Sequence, residues 1–374
     1  MRFVVAGGGT GGHIYPALAI AQGLGNTFPG CRVLYVGTSR GLEADIVPRA
    51  GIPFKPISAA GFKRRLTAKN LWAACLALRG AAEAYRLVKS FRPQAVIGTG
   101  GYVSGPVLLA AQLLRVPVLV HEQNAFPGLT NRILARVAGR VMLTFPESAR
   151  YLPRGARVRV TGLPVREEIK RVDREQARLG LAEGAGTVIL SFGGSRGAER
   201  LNQAMVDVVE AFRGRPDVKL YHSTGTAGYE DFLRLLKSKG IDLPEQGNVT
   251  IAPYFYQIAD YLAAADLVIC RAGAATIAEL TYLGRPAILI PYPYAAANHQ
   301  EFNAMALGKK GAAVVIKNAE LSGARLLREI NALLAAPERL RRIAENSGRL
   351  ANPDALEEIM ACVRELVTPA RGRA

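Results

Sequence analysis

Cysteine is scarce in this 374-residue chain: Cys31, Cys75, Cys270 and Cys362 stand far apart, with no CxxC pair. That spacing argues against a structural zinc site and against a disulfide framework. Long apolar runs are missing too. The longest, over residues 105–116, is broken by Pro106 and Arg115, and a bilayer span needs roughly 20 apolar residues. Any membrane contact is therefore expected to be peripheral. The opening MRFVVAGGG lacks the apolar stretch and cleavage site of a secretory signal, so a cytoplasmic location is expected. With 49% hydrophobic and 21% charged residues, disordered and fibrous classes are excluded. Acid is short in one half only. Residues 1–162 hold 21 Lys and Arg against 5 Asp and Glu, whereas the remaining 212 hold 27 against 25. A charge excess confined to one half points to a polyanion facing it: nucleic acid, anionic lipid or a phosphorylated substrate. An Arg-rich composition without a partner would not confine the excess in this way.

What is present is an alternation of short β-branched runs and longer helical stretches, the pattern of a parallel sheet covered by helices. Strands are expected at residues 3–6, 32–36, 95–98, 116–120, 141–144 and 158–161. The pattern then restarts, with strands at 187–192, 218–222, 249–252, 267–270, 287–291 and 313–316. Both halves open with a strand, a glycine cluster and a helix: VVAGGGTGGHIYPALAIA and VILSFGGSRGAERLNQAM. The expected fold is α/β, two Rossmann-like domains facing a cleft. A turn at Gly162-Leu163-Pro164 marks the join, giving domains of residues 1–162, completed by a C-terminal helix in 350–374, and 163–349. Ligands of such sheets sit beyond the carboxyl ends of the strands.

The loops there carry the chemistry. GGGTGGH at residues 7–13 contains a formal dinucleotide fingerprint, but the second strand ends YVGTSR, without the carboxylate that would hold an NAD ribose. What remains is a glycine turn feeding a helix N-terminus, which favours anionic or electron-rich groups. His13 lies in the first turn of that helix, as a candidate catalytic base or as a cap of the turn. GGSRG at 193–197 repeats the device and adds the Ser195 hydroxyl, a place for a pyrophosphate. In LVICRAGAATIAEL at 267–280, Glu279 falls on a largely apolar helix, where a lone charge would be costly. A carboxylate can accept from both hydroxyls of a ribose. PYPYAAANHQEFNA at 291–304 and HEQNAFPGLTNR at 121–132 concentrate amides that suit sugar hydroxyls.

GGTGGH, GGYVSGP at 100–106, HEQNAFPGLTNR, TGLPVR at 161–166, SFGGSRGA, CRAGAATIAEL and NHQEFNA occur in order over nearly the whole chain. Together they resemble the MurG family of inverting glycosyltransferases, whose two-Rossmann plan is the GT-B architecture. Leu163, Arg196 and Ala297 stand where that family commonly has Asn, Gln and Asp. The resemblance implies transfer of N-acetylglucosamine from UDP-GlcNAc to the 4-hydroxyl of lipid I, the undecaprenyl-pyrophosphoryl-N-acetylmuramoyl pentapeptide, forming lipid II in peptidoglycan synthesis. It implies a peripheral protein on the cytoplasmic face of the bacterial inner membrane. The +16 half would then meet acceptor and anionic membrane surface rather than nucleic acid. Lys63, Arg64, Arg65, Lys69, Arg79, Arg86 and Lys89, beside Leu66, Trp72, Leu76 and Leu78, would supply an interfacial surface.

By the same resemblance His13 is the base, with Glu122 next in line, beside Thr10, Gly11 and Gly12. Uracil would be met by backbone near Phe255, ribose by Glu279, and the leaving pyrophosphate by Ser195 and Arg166. The donor sugar would be met by Gln300, Asn124 and the segment Ala274, Ala275, Thr276, Ile277 and Ala278. No cofactor and no essential metal are expected, since helix N-termini can do a metal's electrostatic work. A UDP-GlcNAc 2-epimerase and a non-catalytic binder of lipid-linked sugar share enough of these features to stand as alternatives.

Overall fold

The computed structural model describes residues 1–59, 68–182, 184, 186–194, 197–244 and 247–368, with backbone alone at 68–75 and 77. The chain divides into two compact units, Met1–Pro164 with Asn352–Ala374, and Val165–Ala351.

The strands, in chain order, are β1 (Arg2–Gly7), β2 (Arg32–Gly37), β3 (Phe54–Pro56), β4 (Ala95–Gly100), β5 (Val118–Glu122), β6 (Arg140–Leu143) and β7 (Val158–Val160) in the first unit. The second unit holds β8 (Thr187–Phe192), β9 (Val218–Ser223), β10 (Val249–Ala252), β11 (Leu267–Cys270), β12 (Ala287–Leu289) and β13 (Val314–Val315). Every pairing is parallel. The sheet orders are β3-β2-β1-β4-β5-β6-β7 and β10-β9-β8-β11-β12-β13. In both units the strand order therefore reverses beside the first strand, at β1/β4 and at β8/β11, which is where the loops diverge and a ligand crevice opens.

Period-two alternation builds the first core on both faces of its sheet. Val4 and Ala6 turn to one side, packing with Val96, Val107 and Val120. Phe3 and Val5 turn to the other, with Ile14, Ile20 and Leu24 of the Gly11–Thr27 helix. The Ala355–Val367 helix closes that second side. Its Ile359, Met360, Cys362 and Val363 are buried in the same core. Arg159 reaches Glu358 at 2.6 Å and Glu365 at 2.8 Å, and Arg140 reaches Glu365 at 2.6 Å. These pairs are partly exposed, so the apolar contacts hold the helix and the charges fix its register. In the second unit Ile189, Leu220, Ile269 and Ile288 pack under the Glu199–Phe212 and Gly323–Leu334 helices.

Candidate active site

In the first unit the glycine loop is fastened from below by groups distant in sequence. The Tyr35 hydroxyl donates to the Gly7 carbonyl at 2.9 Å. Glu43, fully buried, accepts from the Gly9 amide at 3.2 Å and from the Thr38 amide and hydroxyl at 3.0 and 2.7 Å. Sequence reasoning passed over Glu43, which comes just after a strand end that lacks a carboxylate. It binds the loop itself rather than a ribose. Burial, then the Glu43 charge, pushes the Tyr35 phenol up, so it stays a donor.

Thr10 is the N-cap of the Gly11–Thr27 helix but makes no side-chain cap bond, and the helix has no acidic residue in its first turn. Thr10 and Gly12 are exposed and Gly11 half-buried, so this positive helix end faces solvent. His13 lies half-buried beside it. Its carbonyl accepts from the Thr99 hydroxyl at 2.8 Å, and its Nδ1 contacts Gln123 Oε1 at 3.1 Å. Gly100, at φ +107°, leaves room for the ring: a Cβ there would lie 2.9 Å from His13 Cε1. Ser104 of GGYVSGP ties this turn down, its hydroxyl lying 2.8 and 2.7 Å from the Ala6 and Gly100 carbonyl oxygens and its single proton serving one of them.

Glu122 has a different setting from His13. It is buried, and its Oε1 accepts from the Asn124 amide and side chain at 2.9 and 3.2 Å. Its Oε2 accepts from Gly128 N at 3.0 Å and Asn131 Nδ2 at 2.8 Å. Four donors occupy the carboxylate, so its geometry suits bracing the loop over residues 122–131 and orienting Asn124. It does not suit proton abstraction.

In the second unit, the Glu199–Phe212 helix starts without a side-chain cap at Ala198. Gly197, at φ +76°, lies where a Cβ would come 2.1 Å from the Thr224 carbonyl oxygen, so no other residue fits this turn. Ser195 and Arg196 lie outside the described residues. The Ala274–Tyr282 helix also starts uncapped, at Gly273. Ala275 is exposed, Thr276 and Ala278 are half-buried, and Ala274 and Ile277 are buried. Glu279 is buried, with Oε1 accepting from Arg166 Nε at 2.7 Å. Arg166 is thus the ion-pair partner of the very residue assigned to ribose. Burial pushes Glu279 above the ordinary carboxylate value, against the pull of Arg166. Its Oε2 has no hydrogen-bond partner among the described residues.

Phe255 is buried, stacked on Tyr261 at 4.2 Å and edge-on to Tyr221 at 6.0 Å. Its ring serves packing, which leaves only backbone for a ligand. Gln300 Oε1 accepts from Tyr292 N at 2.9 Å, leaving the amide nitrogen as a donor. Before it, Ala297 (φ +53°) and Asn298 (φ +56°) form a left-handed pair. Ala297 departs from the family's Asp at a conformation Asp adopts more readily than Ala. Leu163, the departure in the first unit, is buried.

Residues 3–143 match the glycosyltransferase family 28 N-terminal domain, and residues 188–359 match the family's C-terminal domain. The UDP-N-acetylglucosamine–N-acetylmuramyl-(pentapeptide) pyrophosphoryl-undecaprenol N-acetylglucosamine transferase of Desulforudis audaxviator is 56% identical, over 98% of both chains. The chain belongs to the MurG branch of glycosyltransferase family 28. The enzyme of the same name from Desulforamulus reducens is 50% identical over 98% of this chain and 99% of its own. The crystal structure of Acinetobacter baumannii MurG is 31% identical with a TM-score of 0.79, covering 97% of this chain and 99% of that one.

For a member of this branch, one surface escaped the sequence reading. The helices Ser104–Leu113 and Leu129–Leu134 pack side by side. They expose Leu109, Leu113, Leu129 and Ile133, two of them more than two-thirds accessible. Exposed Arg115 and Arg136 flank them. No helix among the described residues is long and apolar enough to cross a membrane. Of the basic stretch expected to form the interface, Lys63, Arg64, Arg65 and Leu66 lie outside the described residues, as do the side chains of Lys69 and Trp72. Leu78 and Arg79 are exposed.

Proposed function

We propose that this chain transfers N-acetylglucosamine from UDP-GlcNAc to the 4-hydroxyl of lipid I. The observation that carries this beyond family membership is the half-buried His13 imidazole beside an uncapped helix N-terminus. Its Nδ1 is held by Gln123 and its Nε2 has no hydrogen-bond partner among the described residues. In the second unit, Glu279 Oε2 and the uncapped helices at Ala198 and Gly273 supply what a nucleotide sugar needs: an acceptor for the ribose diol and amides for the diphosphate.

The reaction is an in-line displacement with inversion. The acceptor oxygen bonds to the anomeric carbon as the bond to the UDP oxygen breaks. The acceptor proton passes to His13 Nε2, and UDP departs with the electron pair, its charge met by the helix amides. In this assignment Gln300 Nε2 and Asn124 hold sugar hydroxyls, backbone near Phe255 meets uracil, Arg166 holds Glu279 in place, and Ser195 adds a donor. Lipid I and the cytoplasmic face of the inner membrane are met by the first unit, where Leu109, Leu113, Leu129 and Ile133 give an apolar insert among arginines.

The test is turnover of the purified chain with UDP-GlcNAc alone and then with lipid I. Lipid II only in the second reaction supports the proposal. An epimer from UDP-GlcNAc alone, or no turnover in either, refutes it.

A further inference from the structure

His13 is one end of a hydrogen-bond chain that runs through the first unit. His121 is fully buried, and its Nε2 lies 2.9 Å from the Gly162 carbonyl oxygen. A carbonyl can only accept, so Nε2 carries a proton. Burial pushes His121 down to about 4, so the ring is neutral and its Nδ1 is a bare acceptor. Gln123, also buried, spends both amide protons here, donating to His121 Nδ1 at 3.0 Å and to the His121 carbonyl at 3.0 Å. The opposite amide orientation would set oxygen against two acceptors, so the partners fix which way the amide faces. Gln123 Oε1 is thereby left facing His13 Nδ1 at 3.1 Å, and it can only accept.

We infer that His121 and Gln123 are positioning residues that lock neutral His13 in the Nδ1-protonated tautomer, with the Gly162 carbonyl setting the direction of the whole chain. The lone pair of His13 is then confined to Nε2, the nitrogen left open. The origin of the chain is itself held rigidly: Thr161 N and Gly162 N donate to the Leu143 carbonyl at 2.9 and 3.1 Å, and Asn352 Nδ2 donates to the Thr161 carbonyl at 2.8 Å. Two motifs far apart in sequence, HEQN and TGLP, thus act on one atom. The inference rests on the proposed role of His13 only for its catalytic consequence. The tautomer itself is a property of the unliganded chain.

The test uses the full chain with ¹⁵N-labelled histidine. There are four histidines, so four ring systems are resolved, and His13→Gln assigns the one of interest. The spectrum is taken at alkaline pH, where the ring nitrogen shifts report which nitrogen of a neutral imidazole carries the proton. The expected result is a protonated Nδ1 and a bare Nε2 on His13, with the reverse on His121. A wild-type His13 carrying its proton on Nε2 overturns the inference, whether or not any variant folds.

Gln123→Met keeps the side chain's length and removes the amide, which should release His13 into a mixture of tautomers. Turnover scales with the fraction of His13 in the productive tautomer, so an even, freely exchanging mixture should lower kcat by about twofold, and by more as the Nε2-protonated form gains, up to the roughly 10⁴ seen when a catalytic histidine is held wholly in the wrong tautomer. UDP-GlcNAc affinity should stay within about twofold, as its uridine and diphosphate contacts lie in the second unit and Asn124 is held by Glu122 rather than by Gln123. An unchanged kcat in a variant whose His13 has lost the tautomer overturns the positioning role. Correct tautomers in a chain that makes no lipid II would uphold the relay and refute the transferase reading.

Discussion

Glu279→Gln exchanges one oxygen for an amide group at nearly constant volume, which isolates the charge of the buried carboxylate from its shape. In the native chain Oε1 is taken by Arg166 Nε at 2.7 Å, leaving Oε2 for the two ribose hydroxyls. A hydrogen bond to a charged acceptor contributes about 1.5–3 kcal/mol, against about 0.5–1.5 for a neutral one. Two donated bonds losing that difference, about 1–1.5 kcal/mol each, weaken UDP-GlcNAc by about 2–3 kcal/mol, a rise in Kd of roughly 30- to 150-fold. Stability should respond differently. Burial raises the folded-state pKa of Glu279 above its unfolded value. Between the two values the native state binds more protons, so this group's contribution falls as pH rises through that window. Gln, neutral throughout, escapes that loss, and the freed Arg166, whose side chain is 44% exposed, remains solvated. Titration calorimetry with UDP-GlcNAc, paired with urea denaturation at neutral pH, should therefore show much weaker binding and little loss of stability. Unaltered affinity refutes the ribose assignment. Unaltered affinity together with a collapse in stability would make Arg166–Glu279 a structural ion pair and nothing more.

His13→Ala is expected to lower kcat by about 10² to 10⁴, as loss of a general base does, with little change in UDP-GlcNAc affinity. Retention of more than roughly a tenth of wild-type turnover at saturating lipid I would move the base elsewhere. Glu122→Gln replaces one of two accepting oxygens with a donor that must face Gly128 N and Asn131 Nδ2 or Asn124 N and Nδ2. A cost of about 1–3 kcal/mol in stability is expected, with a raised KM for UDP-GlcNAc and a kcat/KM pH profile of unchanged shape. Loss of a limb of that profile would restore Glu122 as a proton carrier. On anionic vesicles, Leu113→Glu with Leu129→Glu should weaken cosedimentation by at least about tenfold, since each leucine fully buried contributes about 1.5–3 kcal/mol. The native chain's binding should fall with salt, as exposed charges are screened beyond about 8 Å at physiological ionic strength. Unchanged binding by the double variant would refute the apolar insert.

Much of this protein was legible from local pattern. Parallel strands buried on both faces are written as continuous apolar runs rich in β-branched residues, as in VVAG and LVIC, and their ends are marked by glycines because a ligand or a neighbouring backbone must come close. Both doubly wound sheets, and the loops that carry His13 and Glu279, follow from that pattern alone. Phe54–Pro56 was not found. This strand has three residues, one of them a proline, and it exists only because the edge of β2 offers it a partner while Pro56 needs no donor there. The exposed leucines at 109, 113, 129 and 133 also escaped, because helical periodicity shows which residues share a face but not whether another element covers it. Glu43, His121 and Gln123 belong to the same class. Their meaning lies in hydrogen bonds to residues brought near only by the sheet order, Gly9 at 34 positions away, Gly162 at 41 and His13 at 110. Sequence determines which residues can donate, accept or hold charge. Which of them meet, and so which nitrogen of His13 is free, is decided by tertiary packing, because hydrogen-bond direction is a property of pairs.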